Sequence, residues 1–245
     1  MRIFSWLATY LFAIALPVLI VTASVRFLVN EERVTSYGFR NNDVSSTMGL
    51  SLEELEKVSQ KITSYFNDDS EFIQIYFLVD GRQDTFFRDV EVIHLRDVKT
   101  LLGIVYRLSE ISLAIVLTYI ATTIFIRSEH NITDLAREVT FSIGIGALIL
   151  LGIASYVFFD FDSAWTQFHE IVFANDFWLL DPSRDRLIQM YPEQFWETAT
   201  LACTVLIAGQ MFLIGGSAVL YIGRKRGWGF SPRKHMRRRM RSHQR

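Results

Sequence analysis

His94 and His169 are the side chains of this sequence best suited to moving a proton near neutral pH, because imidazole titrates there without unusual tuning. His94 stands in Glu91-Val92-Ile93-His94-Leu95-Arg96-Asp97-Val98-Lys99, and His169 in Phe168-His169-Glu170-Ile171-Val172-Phe173-Ala174-Asn175-Asp176-Phe177-Trp178. Each alone has a plain alternative. His94 can end a strand and pack on the next helix, and His169 can be one more ring in an interfacial aromatic stripe. Topology lifts them above that reading, because it puts both on one side of a bilayer, each at the mouth of a transmembrane helix.

That topology comes from where charge is missing. The 245-residue chain is 50% hydrophobic, which a rich soluble domain can reach, so the distribution decides. Stretches 3–25, 111–126, 139–159 and 198–223 carry no charge, and about 20 apolar residues cross the hydrocarbon core. The second stretch is short, but its apolar pattern runs back to Leu101, interrupted by Arg107 and Glu110. Those two are one helical turn apart and can pair. Arg107 can snorkel at the interface or contact substrate. The first stretch is longer than the roughly 7–15 apolar residues of a cleaved signal and reads as a retained anchor. Segment 223–245 holds ten Lys or Arg and no acid, so the positive-inside rule places it in the cytoplasm, with the N-terminus beside it after four spans. A basic tail can also attract nucleic acid or anionic lipid; its reading here is a topology determinant, with no nucleic-acid partner expected. The one cysteine, Cys203, lies in the fourth span. No internal disulfide can form, and the chain is not expected to be a lipoprotein itself.

The elements between the spans must position the histidines. Segment 41–48 is polar and loop-like. Ser51-Leu52-Glu53-Glu54 predicts a capping box opening a helix with Leu52, Leu55, Val58, Ile62 and Tyr65 on one stripe, ending near Asn67-Asp68. Strands are predicted over 72–79 and 85–95 around an Asp80-Gly81 turn, leading straight to His94. Asp97 reads as the N-cap of the second membrane helix, so His94 should stand just before a helix N-terminus, where the dipole disfavours an imidazolium. His130 falls in the loop 127–138 and reads as solvated. Trp165, Phe168, His169 and Val172 follow the third span at helical spacing. Asp181-Pro182 reads as the cap and first residue of a short helix, and Pro192 as the start of the last span.

The fold class is therefore an α-helical integral membrane protein with four transmembrane helices and a small extracytoplasmic α+β domain, an amphipathic helix plus a β-hairpin. The divisions are 1–29 (first transmembrane helix), 30–100 (extracytoplasmic), 101–126 (second helix), 127–138 (cytoplasmic loop), 139–161 (third helix), 162–191 (extracytoplasmic and interfacial), 192–223 (fourth helix) and 224–245 (basic cytoplasmic tail).

Several chemistries lack their residues. His169-Glu170 begins a His-Glu-x-x-His zinc motif, but Phe173 stands where the second histidine belongs. No Gly-x-Ser-x-Gly elbow, Walker loop or dinucleotide fingerprint is present. Gly144, Gly146, Gly209, Gly215 and Gly216 read as helix-packing residues. No metal or cofactor is expected. The span interiors offer Thr118, Tyr119, Thr122, Thr123, Ser142 and Gln210 but no charge, unlike a transporter pathway. A surface-facing site handling a membrane-embedded substrate remains.

The segment from Phe168 through Asn175-Asp176-Phe177-Trp178-Leu179-Leu180-Asp181-Pro182 to Tyr191-Pro192, together with His94-Leu95-Arg96-Asp97-Val98-Lys99, resembles the lipoprotein intramolecular transacylases (Lit), a family of bacterial four-span membrane proteins. The resemblance is strongest over 88–110 and 160–197; segment 30–67 does not align with the family's pattern, and the basic tail is longer than its members suggest. It implies transfer of the sn-2 acyl chain of a diacylglyceryl-cysteine lipoprotein to the cysteine α-amine, giving the lyso-form, with His94 and His169 as the family's two histidines. On this reading His94 takes the amine proton and His169 polarises the carbonyl or protonates the leaving alkoxide. Asp97, Asn175, Asp176 and Trp178 are candidates for orienting imidazole or headgroup. Two alternatives stay open. One is a non-enzymatic lipid-binding or assembly factor docking a partner on the stripe of helix 52–65. The other is an acyl-enzyme transferase using Ser109, Ser163 or Thr166.

Overall fold

A computed structural model of the protein describes residues 2–79, 82–126 and 130–227. The chain forms α1 (Arg2–Val29), α2 (Glu32–Asn41), α3 (Val44–Met48), α4 (Leu52–Phe66), β1 (Tyr76–Val79), β2 (Arg82–Thr85), α5 (Asp89–Ile126), α6 (His130–Phe159), α7 (Phe161–Val172), α8 (Arg186–Met190) and α9 (Glu193–Lys225). Four of these, α1, α5, α6 and α9, are long and apolar enough to cross a membrane. Their most apolar windows are only 33, 28, 17 and 17% buried. The apolar side chains left outside, among them Leu148, Ile153, Phe212 and Leu213, therefore need lipid around them. Arg127, the Asp80-Gly81 turn and the tail beyond Gly227 lie outside the described residues, as does the side chain of His130.

Within the bundle α1 lies against α5, α6 and α9, around a core that includes Phe12, Leu16, Ile20, Val116, Ile143 and Met211. Two of the five glycines expected at helix contacts are there. A Cβ on Gly146 would come within 2.9 Å of Pro17, and one on Gly215 within 2.9 Å of Ile143. Gly144, Gly209 and Gly216 have open space on that side, because they sit on faces turned away from other helices. Glu110 pairs with Arg26 of α1 at 3.0 Å, not with Arg107 as its spacing allows. The neighbouring helix supplies a cation that reaches across to it, while Arg107 is exposed.

A second core fills the small domain. Phe39, Val44, Leu55, Ile62, Tyr65, Ile73, Ile75, Phe87, Leu95 and Met190 are among its buried members. The capping box forms as predicted, with Ser51 and Glu54 bonding reciprocally and the helix ending at Asn67. The α4 stripe is consumed by this core, leaving no apolar face there for a partner. Segment 41–48 is not a loop; it contains α3, whose Val44 is buried. The first strand is shorter than predicted and the second lies at 82–85, before the predicted 85–95; they pair antiparallel from Tyr76↔Thr85 to Val79↔Arg82.

The largest correction concerns α5. It starts at Asp89, not beyond Asp97, so the return strand predicted over 85–95 shares only Thr85 with β2, and His94 is helical. The β-branched run Val90-Val92-Ile93 resembles a strand, but the first turn is secured another way. Glu91 reaches back to accept from the Arg88 amide at 2.8 Å, half of a capping box, and Asp89 and Glu91 suit the positive helix end. At about 1.5 Å per residue, 38 residues exceed a bilayer core of about 30 Å. Asp89, Glu91, Arg96, Asp97 and Lys99 crowd the first three turns, and the uncharged stretch 111–126 fills the last four. The segment expected as a loop over 127–138 is likewise helical from His130.

Candidate active site

Three elements build the site at the domain end of the bundle. His94 comes from the second turn of α5, and His169 from the last turn of α7. Segment 173–185, which links α7 to α8, covers them. α7 starts on Asp160, whose carboxylate accepts from the Ser163 amide. The segment ends at α8, whose cap is Asp185 and not Asp181. Asp181 instead folds a turn, accepting from the amide and hydroxyl of Ser183.

The far end of the covering segment is fastened to α5 by two buried carboxylates. Glu91, fully buried, accepts from the Leu187 amide at 2.6 Å as well as from Arg88. Asp185, 2% exposed, takes the Arg88 guanidinium and the Asp181 amide. Burial raises the Glu91 carboxyl above its ordinary range, against the pull of those two amides. Neither carboxylate figures in the sequence-based site. Each has one partner far away in sequence, the Leu187 amide for Glu91 and the Arg88 guanidinium for Asp185, and no motif announces either.

The two imidazoles meet, with ring centroids 6.1 Å apart. Both are buried, at 9% and 6% exposure. Phe173 lies against both, 5.2 Å from His94 and 5.6 Å from His169. Trp178 stacks on His169 at 4.8 Å, and Trp165 meets its edge at 4.6 Å. Trp165 in turn rests on Trp196, the fourth residue of α9, at 5.0 Å. Asn175 donates to Asp97 at 2.8 Å, so three of the four second-rank candidates gather here. Asp176 does not; its side chain is exposed, and its carbonyl accepts from Leu179. In the sequence Phe173 stands out only as the residue that spoils a zinc motif. Its role was hidden because nothing in the sequence shows segment 173–180 folding back over α5.

The two rings are not equivalent. His169 Nδ1 lies 2.7 Å from the Trp165 carbonyl oxygen. That oxygen can only accept, so Nδ1 carries the hydrogen and neutral His169 keeps its lone pair on Nε2. His94 Nδ1 is buried and has no hydrogen-bond partner among the described residues. Burial is the main cause that pushes His94 down to about 4, with His169 adding to it and Asp97 opposing. The neutrality predicted from a helix dipole is thus present, but its cause is the aromatic enclosure; the dipole fades beyond the first turn. Burial also lowers His169, while its bond to Trp165 opposes, and the last turn of a helix favours a cation. Of the two rings His169 is the better proton acceptor.

The alternative nucleophiles are badly placed. Ser109 is roughly 22 Å further along α5 than His94. Thr166 is exposed, and Ser163 belongs to the first turn of α7. Among the described residues no group of three or more His, Cys, Asp or Glu could hold a metal ion.

The model of the family described as lipoprotein intramolecular transacylase Lit matches residues 10–196. The chain belongs to the Lit family. It is therefore a membrane-integral lipoprotein transacylase, and its four-helix plan with a small two-stranded domain is the family's fold. An uncharacterized protein of Aquifex aeolicus (strain VF5) is 29% identical over 221 residues, covering 89% of this chain and 93% of its own. The in meso structure of the membrane-integral Lit from Bacillus cereus matches with a TM-score of 0.75, across 94% of this chain and 100% of that one, at 16% identity. A variant of the Bacillus enzyme with one histidine replaced by alanine matches at 0.69, across 91% of this chain and 95% of its own, at 18% identity. At such identities the structural likeness speaks to the fold, and the residue roles must come from the site.

Proposed function

We propose that this Lit-family chain moves the sn-2 acyl chain of a diacylglyceryl-cysteine lipoprotein from the glycerol oxygen to the cysteine α-amine, at His94 and His169. The observation that carries this reading is the meeting of two neutral imidazoles, 6.1 Å apart, in an aromatic pocket beside the membrane helices. Donor ester and acceptor amine belong to one substrate molecule, so folding them together supplies much of the rate; effective molarities reach about 10⁵–10⁸ M.

The hydrogen on His169 Nδ1 exchanges the roles expected from sequence: His169 is the base and His94 the electrophile. The substrate ammonium, with a reference pKa of about 7.7–8.0, first loses a proton to water. The amine nitrogen then attacks the ester carbonyl carbon, forming the C–N bond, while a ring N–H of His94 donates to the developing oxyanion. A buried ring that stays neutral keeps such a hydrogen. His169 Nε2 takes one of the two protons left on the attacking nitrogen and returns it to the glycerol oxygen as the C–O bond breaks, so the amide nitrogen keeps the other. The products are an amide and a free sn-2 hydroxyl.

The topology belongs to the same proposal. Segments 30–100 and 162–191 face the extracytoplasmic side, and 127–138 and the basic tail 224–245 the cytoplasm, following the excess of Lys and Arg in that tail. Diacylglyceryl-modified lipoproteins then reach the site from the outer leaflet.

The test is to incubate the purified full chain in detergent with a synthetic diacylglyceryl lipopeptide and to read fragment masses. One acyl chain should move onto the N-terminus with total mass unchanged. An acyl chain that stays on glycerol, or is lost to water, would refute the reading. Within it, His94→Gln should keep part of the turnover, because an amide can still donate to an oxyanion. His169→Gln, which has no base, should lose about 10²–10⁴-fold. The reverse order would return the base to His94.

A further inference from the structure

Asp97 and Asn175 flank the two imidazoles, and we propose that they are positioning residues: their hydrogen bond holds segment 173–178, and with it Phe173 and Trp178, in the one arrangement that aims both rings at the ester. This rests on the assignment of His94 and His169 above.

Segment 173–180 has few ties to its surroundings. At its root the Phe173 amide donates to the His169 carbonyl. Its other backbone bonds are internal, from Leu179 to Asp176 and from Leu180 to Trp178. Among the described residues, Asn175 is the member of this segment whose side chain bonds on both sides. Its carbonyl oxygen accepts from the Phe177 amide at 3.1 Å and shapes the turn, while its amide nitrogen donates to Asp97 at 2.8 Å. Beyond 180 the buried Asp185 and Glu91 take over. Asp97 therefore sets the near end of the cover, as Glu91 sets the far end.

All three α5 residues follow at a spacing of three: Glu91, His94, Asp97. Residues three apart are neighbours on a helix surface, so the two anchors and the imidazole between them move as one rigid unit. The consequence is geometric. Trp178 lies across the face of His169, and Trp165 holds Nδ1. A ring pinned by its face and by one nitrogen can point the other nitrogen in one direction only. Release of Asn175 leaves the Trp178 face free to slide, and Nε2 loses its aim.

Asp97 also brings a charge. The titratable groups facing His94 are His169 across the pocket and Asp97 on its own helix, with Arg96 3.5 Å from the Asp97 carboxylate. Segment 173–178 offers His94 an uncharged ring, Phe173. Moving the carboxylate from α5 to the covering segment therefore changes the field at His94 while keeping an amide–carboxylate bond.

That exchange is the experiment, run on the full chain in detergent with the diacylglyceryl lipopeptide. Asn175→Ala and Asp97→Ala should each lower kcat by about 10²-fold, the scale of a 1 Å misplacement, with a smaller change in KM. The reciprocal double variant, Asp97→Asn with Asn175→Asp, keeps the bond with its donor reversed. It should recover most of kcat and displace the acid limb of the pH profile. Single variants as active as the parent, or a double variant no better than the singles, would overturn the proposal. The double variant also decides the matter if a single one fails to fold. His94→Ala and His169→Ala in the same assay separate the two readings: if they too turn over normally, the site assignment has failed rather than the positioning.

Discussion

Two polar clusters lie at opposite ends of the spanning part of α5, and they treat their polar atoms in opposite ways. At the far end, Thr9 and Tyr119 hydroxyls meet at 2.9 Å, and Tyr119 donates to Glu138 at 2.8 Å. Phe12 stacks on the Tyr119 ring, and Ser142 donates to the Ala13 carbonyl at 2.7 Å. These bonds tie α1, α5 and α6 together. At the domain end, among the described residues, His169 bonds to the Trp165 carbonyl and His94 Nδ1 has no partner, although both imidazoles are buried. A saturated cluster fastens helices. An unsaturated one costs about 1–3 kcal/mol per buried group, and where the groups can also transfer protons, that deficit is what substrate makes good. Thr123, a turn beyond Tyr119, also has a hydroxyl without a partner among the described residues. A lone alcohol among apolar helices has no base beside it, so lack of a partner alone does not make a site.

The contrast can be broken from either end. The largest effect is expected for His169→Ala, which should cut turnover by about 10²–10⁴-fold in a protein that still melts normally; ordinary activity would reduce the domain-end cluster to packing. Next comes Glu91→Ala. It orphans the Arg88 and Leu187 amides, each at a cost of about 1–3 kcal/mol, and should lower the melting temperature followed by tryptophan fluorescence. Acidification should act through His94. Its folded value of about 4 lies below the ordinary 6.5, so between those limits the unfolded chain binds more protons. Stability from this group is full above about pH 6.5 and is lost as pH falls toward 4, by on the order of 3 kcal/mol. In His94→Ala that slope should flatten; an unchanged slope would assign it to other groups. The smallest effect belongs to Tyr119→Phe, at about 1 kcal/mol of stability with transacylation intact. A large activity loss there would erase the distinction between the clusters.

The sequence made the spans, the α4 capping box and both histidines legible, because each rests on local pattern or on charge counted along the chain. It misled where two local patterns compete. Val90, Val92 and Ile93 favour a strand, and Asp97 has the chemistry of a cap. The helix nevertheless starts at Asp89, because Glu91 closes its first turn and Leu187 completes the bond from the other side of the domain. The pairing of Arg107 with Glu110 failed for a similar reason: Arg26, from another helix, reached Glu110 first.

By itself, the sequence determined that this is a four-span membrane protein with a small domain on one side and two histidines at that side. Apolar length and charge placement are one-dimensional properties, and the bilayer reads them directly. Only the tertiary structure decided that the imidazoles lie 6.1 Å apart, that Phe173 and Trp178 cover them, and which nitrogen of His169 holds a hydrogen. Those facts depend on where the Trp165 carbonyl, Asn175 and the buried carboxylates come to rest, and such distances exist only once both cores have packed.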